Sequence, residues 1–300
     1  MTQQIFSYDR RSACVCGTPL DDNAPSVVKV FPRGKIAFSR CPACLSYIQA
    51  PILTPDSLSA WFDSTDYQGG TQQKGVGYAD YSRDEASRYA EGRQRYEYDL
   101  ATRLPPAARV FEVGCASGSL LAAIAEHGHK VAGCDLSPRF VEAARTLYGL
   151  DVVAADWNDV AIEDANLDAV LMLGTVSGIN GLDRALETAR RRLKPGGFLF
   201  FNFPAADSLV ARVYGSSFWM FTPSVMQFMS RSGARRALER AGFRVEVEGI
   251  DRQKPSLRKL LGHMKIKPLY VLVERLGLLD FQIPLAVPLP GIYHILARPV

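Results

Sequence analysis

The chain has 300 residues, 47% hydrophobic and 22% charged, which places it among globular proteins longer than the commonest single domain. A formal net charge of +4 is too small to imply a nucleic-acid partner. No run of about twenty uninterrupted apolar residues occurs; the nearest window, 276–297, holds Asp280, Gln282 and three prolines, which argues against a membrane-spanning helix. The amino terminus lacks the apolar stretch of a secretory signal, so a cytoplasmic location is expected, and the six cysteines then read as thiols or metal ligands rather than disulfides.

The first chemical signal is a pair of cysteine pairs, Cys14-Val15-Cys16 and Cys41-Pro42-Ala43-Cys44, separated by 24 residues with a β-rich stretch over 27–38. Close cysteine pairs on turns suit a tetrahedral Zn²⁺ site, and four thiolates would leave no position for water, so the site would be structural. A segment this short cannot build a sufficient core alone, and metal would stabilise it. The second pair has the usual knuckle spacing; the first is one residue short, and unliganded thiols are the alternative.

Thr54 or Asp56 then caps a short helix carrying Leu58, Trp61 and Phe62. A polar segment over 66–85 contains four glycines and reads as a loop. Residues 83–104 read as a helix, with Tyr89, Arg93, Tyr96 and Leu100 spaced along it.

The stretch 109–135 reads as strand, glycine-rich turn, helix and second strand ending in Asp135. A ligand would sit beyond the carboxyl ends of these strands, over backbone N–H groups and beside a carboxylate. A dinucleotide fingerprint needs glycines at 114, 116 and 119, but those positions hold Gly114, Ala116 and Ser119, which disfavours an NAD-linked oxidoreductase. Further on, a helix opens after Ser137 and a strand over 152–155 ends at Asp156-Trp157. A fourth strand over 168–173 leads into Gly174, and a helix over 182–193 stops at Lys194-Pro195-Gly196-Gly197 before a strand over 198–203. A helix over 231–241 and strands over 243–247 and 292–297 complete seven strands. The fold class is α/β, a doubly wound, mostly parallel sheet.

The pattern Glu112-x-Gly114-x-Ala116-x-Gly118, the acids at consecutive strand ends and the LKPGGFLFF turn resemble class I S-adenosylmethionine-dependent methyltransferases. With the cysteines, the chain resembles those carrying a zinc-binding amino-terminal segment, found in sugar, surface-glycan and natural-product pathways. The resemblance implies a Rossmann-like domain over 105–300, with an acceptor-side insertion at about 204–230. A zinc-ribbon-like module over 1–55 and a helical, cofactor-covering linker over 56–104 precede it. It implies that Asp135 accepts from the ribose hydroxyls, Leu136 packs on adenine, Asp156 accepts from the adenine amino group and Trp157 covers the rim of the base. Gly114, Cys115, Ala116 and Gly118 form the turn, Leu173 and Gly174 hold the methionine part, and Glu112 orients the loop or reaches that end through water. Tyr78 is the candidate for covering the cofactor.

Relatives often carry Glu-His where this chain has Ser177-Gly178, and a histidine where it has Val225. Both departures remove the obvious bases, and no catalytic residue is assigned. Tyr214, Trp219 and Phe221 are the candidate acceptor contacts. The acceptor implied is a small molecule, sugar or glycan precursor. The alternatives are an RNA methyltransferase and a non-catalytic cofactor-binding or interaction subunit. Residues 231–275 hold twelve Lys or Arg against five Asp or Glu. The amphipathic stretch 257–279, which overlaps them, either packs on the domain or touches a membrane surface.

Overall fold

The computed structural model describes residues 6–20, 25–31, 33–62, 64, 85–218, 220–253, 257, 261, 267–279, 281 and 287–300. In the amino-terminal segment, β1 (Tyr8–Asp9) pairs with β5 (Ile52–Leu53), while β2 (Val27–Phe31), β3 (Gly34–Arg40) and β4 (Tyr47–Gln49) form an antiparallel meander. Alternation sets their faces: Val27, Ile36 and Phe38 are buried while Val28 and Val30 face out. Helix α1 (Pro55–Phe62) starts at the expected cap, with Thr54 Oγ1 accepting from the Ser57 N–H at 3.3 Å, and buries Leu58 and Trp61.

The seven expected strands form one sheet: β6 (Arg109–Val113), β7 (Lys130–Asp135), β8 (Val152–Ala154), β9 (Leu167–Met172), β10 (Leu193–Pro204), β12 (Phe243–Gln253) and β13 (Val287–Pro299). Their order is β12-β13-β10-β9-β6-β7-β8, and β13 runs antiparallel to both neighbours. Apolar runs become central strands because helices cover both faces: β9 is buried at every position except Asp168. The flanking helices are α2 (Glu85–Arg95), α3 (Ser119–Ala125), α4 (Pro138–Tyr148), α5 (Leu182–Arg192), α6 (Leu209–Tyr214), α7 (Arg231–Arg240) and α8 (Lys267–Arg275). Helix α2 continues as a π-helical turn over Tyr96–Leu100. Helix α4 has proline in its first turn and left-handed Gly149 at its end. His127 and His129 both pack on Tyr96. None of the described helices is long and apolar enough to cross a membrane. In the 257–279 stretch, Leu269, Val271 and Leu272 of α8 are exposed, while Arg258, Lys259 and Lys265 lie outside the described residues.

The cysteine-bearing segment shares a sheet with the insertion. Strand β11 (Gln227–Phe228) adds to β4, giving the order β11-β4-β3-β2. Gln49 Nε2 donates to the Val225 carbonyl at 3.1 Å, and Arg11 Nη1 donates to the Met226 carbonyl at 3.2 Å. Gln227, fully buried, donates to the carbonyls of Val176 and Ile179 at 2.7 and 2.8 Å. On the far side, Ser46 Oγ accepts from the Ser230 N–H at 2.9 Å where Ser230 caps α7. Cys14, Cys41 and Cys44 are part of the same buried cluster as Phe201, Phe203 and Leu238 of the seven-stranded sheet and its helices.

A buried ion pair ties α2 to the far edge of the sheet. Arg95 donates to both oxygens of Asp251 at 2.7 and 2.9 Å and to Asp99 at 2.6 Å, and Asn202 Nδ2 donates to Asp251 at 2.9 Å. Burial alone would raise the Asp251 carboxyl, but His294 at 3.6 Å, the Arg95 charge and the Asn202 amide outweigh it and hold its pKa well below the usual range. A depressed folded pKa stabilises the protein above the unfolded value of about 3.9, and that contribution is lost as pH falls through the folded value. Asp251→Ala leaves Arg95 buried with Asp99 alone and should cost about 3–5 kcal/mol in urea denaturation at neutral pH. The gap between wild type and variant should narrow below about pH 4.

Candidate cofactor and metal sites

The ends of β6, β7 and β8 lie level: Val113 pairs with Cys134, and Asp135 with Ala154. The chain runs outward from β6 to β8 and returns on the other side of β6 as β9, so the strand order reverses there and a crevice opens at the carboxyl ends. The turn leaving β6 takes the left-handed conformation three times, at Gly114 (φ 72°), Ala116 (φ 47°) and Gly118 (φ 76°). Gly118 therefore stands before α3, which starts at Ser119 rather than at Ser117. A Cβ on Gly114 would lie 2.3 Å from Thr175 Oγ1. Gly114→Ala combines that clash with a left-handed penalty of about 1–2 kcal/mol, so it should lower both stability and cofactor affinity, read by thermal melting and calorimetry.

Ala116 is the residue that bears the left-handed cost without being glycine, and Asp135 offsets it. Asp135 Oδ2 accepts from the Ala116 N–H, and Oδ1 from the Ser137 N–H, both at 2.9 Å. One carboxylate thus joins the turn to the start of α4. Burial raises its pKa against the pull of these backbone hydrogen bonds. Each carboxylate oxygen offers two acceptor positions, so capacity for further donors remains.

Glu112 is 5% exposed, and its Oε2 has no hydrogen-bond partner. Burial, then the charge of Asp135, pushes its pKa well above the ordinary value. A partnerless buried carboxylate beside a second one fits a ligand carrying positive charge or N–H donors. Burial likewise pushes up the thiol of Cys115, whose N–H donates to the Cys134 carbonyl at 3.0 Å.

Several contacts here had no local signal. Arg88 Nη2 donates to Ser117 Oγ at 2.6 Å, Ser117 donates to Glu85 at 2.8 Å, and the Tyr148 hydroxyl donates to the other Glu85 oxygen at 2.7 Å. Helix α2 lies tight on α3, where a Cβ on Gly92 would be 2.9 Å from Leu120 Cα. Helix α2 therefore braces the glycine turn. Across the crevice, the Gly174 N–H donates to Asn202 Oδ1 at 2.7 Å, and Leu173 is partly buried. Asn202 carried a readable signal, a lone amide inside the apolar run FLFFNFP.

Asp156 caps the short turn after β8, its Oδ1 accepting from the Asn158 N–H at 2.8 Å. The rim-covering role expected of Trp157 is corrected. Its indole is 3% exposed, donates to the Ala185 carbonyl at 3.1 Å, packs on Phe111 and lies under the Arg192 guanidinium. Apolar area and an indole N–H partner were both available inside, so the ring turned to the core. Leu136 packs against the aromatic cluster of the insertion. Tyr78 and Trp219 lie outside the described residues.

The turn after β9 is closed from above by the insertion. The Ser177 carbonyl accepts from the Met226 N–H at 2.7 Å, and a Cβ on Gly178 would lie 2.8 Å from the Ser224 carbonyl oxygen. A histidine does not fit at 178 in this arrangement, and Val225 is buried. Tyr214 is exposed, whereas Phe221 is buried edge-on against Phe38 and Tyr47 at 5.0 and 5.3 Å.

The four amino-terminal thiols converge. The Sγ atoms of Cys14, Cys16, Cys41 and Cys44 all lie within 4.8 Å of one another, with Cys14–Cys44 at 3.5 Å and Cys16–Cys41 at 3.6 Å. A tetrahedron with metal–sulfur bonds of about 2.3 Å has edges of about 3.8 Å, so the spacing fits. The short first pair is accommodated because Cys16 is half-buried and reaches inward across the turn closed by the Gly17 N–H on the Cys14 carbonyl.

The chain resembles known proteins in the same terms. It is 32% identical over 150 residues to the malonyl-[acyl-carrier protein] O-methyltransferase of Enterobacter lignolyticus, covering 49% of this chain and 59% of that one. It is 33% identical over 126 residues to the ubiquinone biosynthesis O-methyltransferase of Xanthomonas axonopodis, covering 38% of this chain and 52% of that one. The chain thus spans between half and three-fifths of the length of these relatives. Among solved structures, the fold matches magnesium protoporphyrin IX methyltransferase of Synechocystis PCC 6803 with bound SAH at TM-score 0.53 and 15% identity, covering 82% of this chain and 100% of that one. It also matches a possible histamine N-methyltransferase of Thermotoga maritima at TM-score 0.51 and 20% identity, covering 73% of this chain and 93% of that one. The family model described as a methyltransferase domain matches residues 81–248, more than half of the chain, and the protein belongs to that family.

Proposed function

We propose that the protein is an S-adenosylmethionine-dependent methyltransferase that acts on a small molecule, sugar or glycan precursor. One observation carries the reading: the left-handed turn 114–118, the Asp135 carboxylate and the partnerless Glu112 oxygen converge at adjacent strand ends. The cofactor fits this set chemically, since its ammonium and sulfonium suit a buried carboxylate and its ribose brings two hydroxyl donors. When bound, it supplies an already activated methyl group.

The residues of the chain then have the tasks of holding, aligning and excluding water. Asp135 accepts from the ribose, Leu136 borders the adenine, and Gly114, Cys115, Ala116 and Gly118 present backbone to the ligand. Leu173 and Gly174 border the methionine end, and Glu112 balances its charge. Asp156, with Oδ1 engaged in capping, offers Oδ2 to the adenine amino group. Tyr78 is retained as a covering residue, and Phe221, Tyr214 and Trp219 shape the acceptor side. Zn²⁺ held by Cys14, Cys16, Cys41 and Cys44 would be structural.

The O-methyltransferase names of the sequence relatives support a small-molecule acceptor. The test is calorimetry of the purified chain with S-adenosylmethionine and S-adenosylhomocysteine, followed by transfer of labelled methyl to a panel of phenols, carboxylates and sugar phosphates. Absence of binding overturns the reading; binding without any transfer favours a non-catalytic subunit.

A further inference from the structure

After β10 the chain folds over the carboxyl end of the sheet, forms α6 and returns as β11 beside β4. Between this insertion and the cysteine-bearing segment lies a cavity of about 220 Å³. Its floor is aromatic. Phe221 and Phe228, both buried, meet edge-to-face with centroids 5.5 Å apart, and Tyr47 stands beside them with its ring stacked on Phe228.

Two arginines from different elements line the same cavity, Arg40 at the end of β3 and Arg212 on α6. Both are exposed, and neither guanidinium has a carboxylate or carbonyl partner among the described residues. The Arg40 guanidinium lies over the Tyr47 ring, 5.7 Å from its centroid. The single acid in the lining, Asp207, is occupied. Its Oδ2 accepts from Arg231 Nε at 3.0 Å and its Oδ1 from the Arg231 N–H at 3.1 Å. The cavity therefore presents two uncompensated positive charges over an apolar aromatic floor. Guanidinium forks match the oxygens of phosphate or carboxylate, and aromatic faces take a flat apolar body.

Position connects this cavity to the donor site. Ala206 and Asp207 come two and three residues after Pro204, the last residue of β10, and Leu136, next to Asp135, packs on the cluster that contains Phe221 and Phe228. We infer that this cavity receives the acceptor, and that the acceptor bears a phosphate or carboxylate held by Arg40 and Arg212 while its apolar part lies on Tyr47 and Phe221. The inference deepens the methyltransferase reading and rests on it. It assigns specificity to two residues from different segments, so neither the module nor the insertion forms the site alone.

The test uses the full chain saturated with S-adenosylhomocysteine, titrated with phenyl phosphate, benzoate and neutral benzyl alcohol. At least one anionic probe should bind about tenfold or more tighter than benzyl alcohol. The tighter of the two identifies the anion. Arg40→Gln and Arg212→Gln should each weaken that probe by about fivefold or more, while S-adenosylhomocysteine affinity stays within about twofold. Equal binding of anionic and neutral probes, or anionic binding unchanged in both variants, overturns the inference and leaves the donor site untouched. Failure of the wild type to bind S-adenosylhomocysteine removes the methyltransferase reading itself, and the acceptor assignment with it.

Discussion

Asp135→Ala is expected to weaken S-adenosylmethionine binding by about 100-fold or more, the largest loss for any single side chain on the donor side. The reason is that Asp135 does two things with one carboxylate. It accepts from the backbone of Ala116 and Ser137, and in the proposed function it is also the acceptor for the ribose hydroxyls. Charge-assisted hydrogen bonds contribute about 1.5–3 kcal/mol each, so losing ligand contacts together with the clamp on a left-handed turn exceeds 2.7 kcal/mol, or about 100-fold. Asp135→Asn should be intermediate, because an amide keeps one acceptor oxygen and sets its NH₂ against a backbone N–H. The pH dependence has a definite sign. Burial raises the Asp135 pKa, so the acceptor-only ionised form is lost at higher pH than for an ordinary aspartate as the solution is acidified. Affinity should therefore fall toward the acid side and be flat above neutrality. Calorimetry across pH checks both statements, and unchanged affinity in Asp135→Ala would sink the donor-site assignment.

The second large effect concerns metal. Purified protein should contain about one zinc per chain, and Cys41→Ser or strong chelation should lower the unfolding midpoint on the order of 10 °C. Structural zinc contributes about 10–16 kcal/mol of folding free energy in small peptides. Part of that will be visible here because the thiols sit in the main buried cluster. The Cys44 carbonyl accepts from Ser232 Oγ at 3.2 Å and from Ser230 Oγ, so loss of the turn disturbs the start of α7. Donor binding should survive, since no thiol of the four touches Asp135 or the glycine turn. Metal-free protein with an unaltered melting curve in Cys41→Ser would refute the zinc assignment.

Features set by local sequence could be read in advance, and features set by distant pairing could not. Strand ends at Gly114, Asp135 and Asp156 follow from apolar runs broken by glycine or acid; the sheet shows the first two where expected and ends β8 at Ala154, one residue before the expected 155. The four cysteines were legible because ligand chemistry restricts residue type and spacing so tightly. Trp157 was misread because a ring beside a capping residue can turn to either side, and only the position of Ala185 and Arg192 decides. Arg95 and Asp251 are 156 residues apart, and nothing near either marks the pair. Strand β11 has two residues, too few for any period to show. The cavity between module and insertion shares that cause, since it exists only once β11 has paired with β4.

That pairing has a consequence for how such chains can change. Because β11 completes the sheet of the amino-terminal segment, and Gln227 reaches from it to the turn after β9, the segment and the 205–230 stretch are structurally one unit seated on the seven-stranded sheet. A chimera that exchanges residues 6–62 alone leaves a strand without its neighbour, whereas one that exchanges 6–62 together with 205–230 keeps the four-stranded sheet β11-β4-β3-β2 whole. For the acceptor site inferred above, inheritance of a new acceptor is then a matter of replacing two distant stretches at once, with everything between them left as it is.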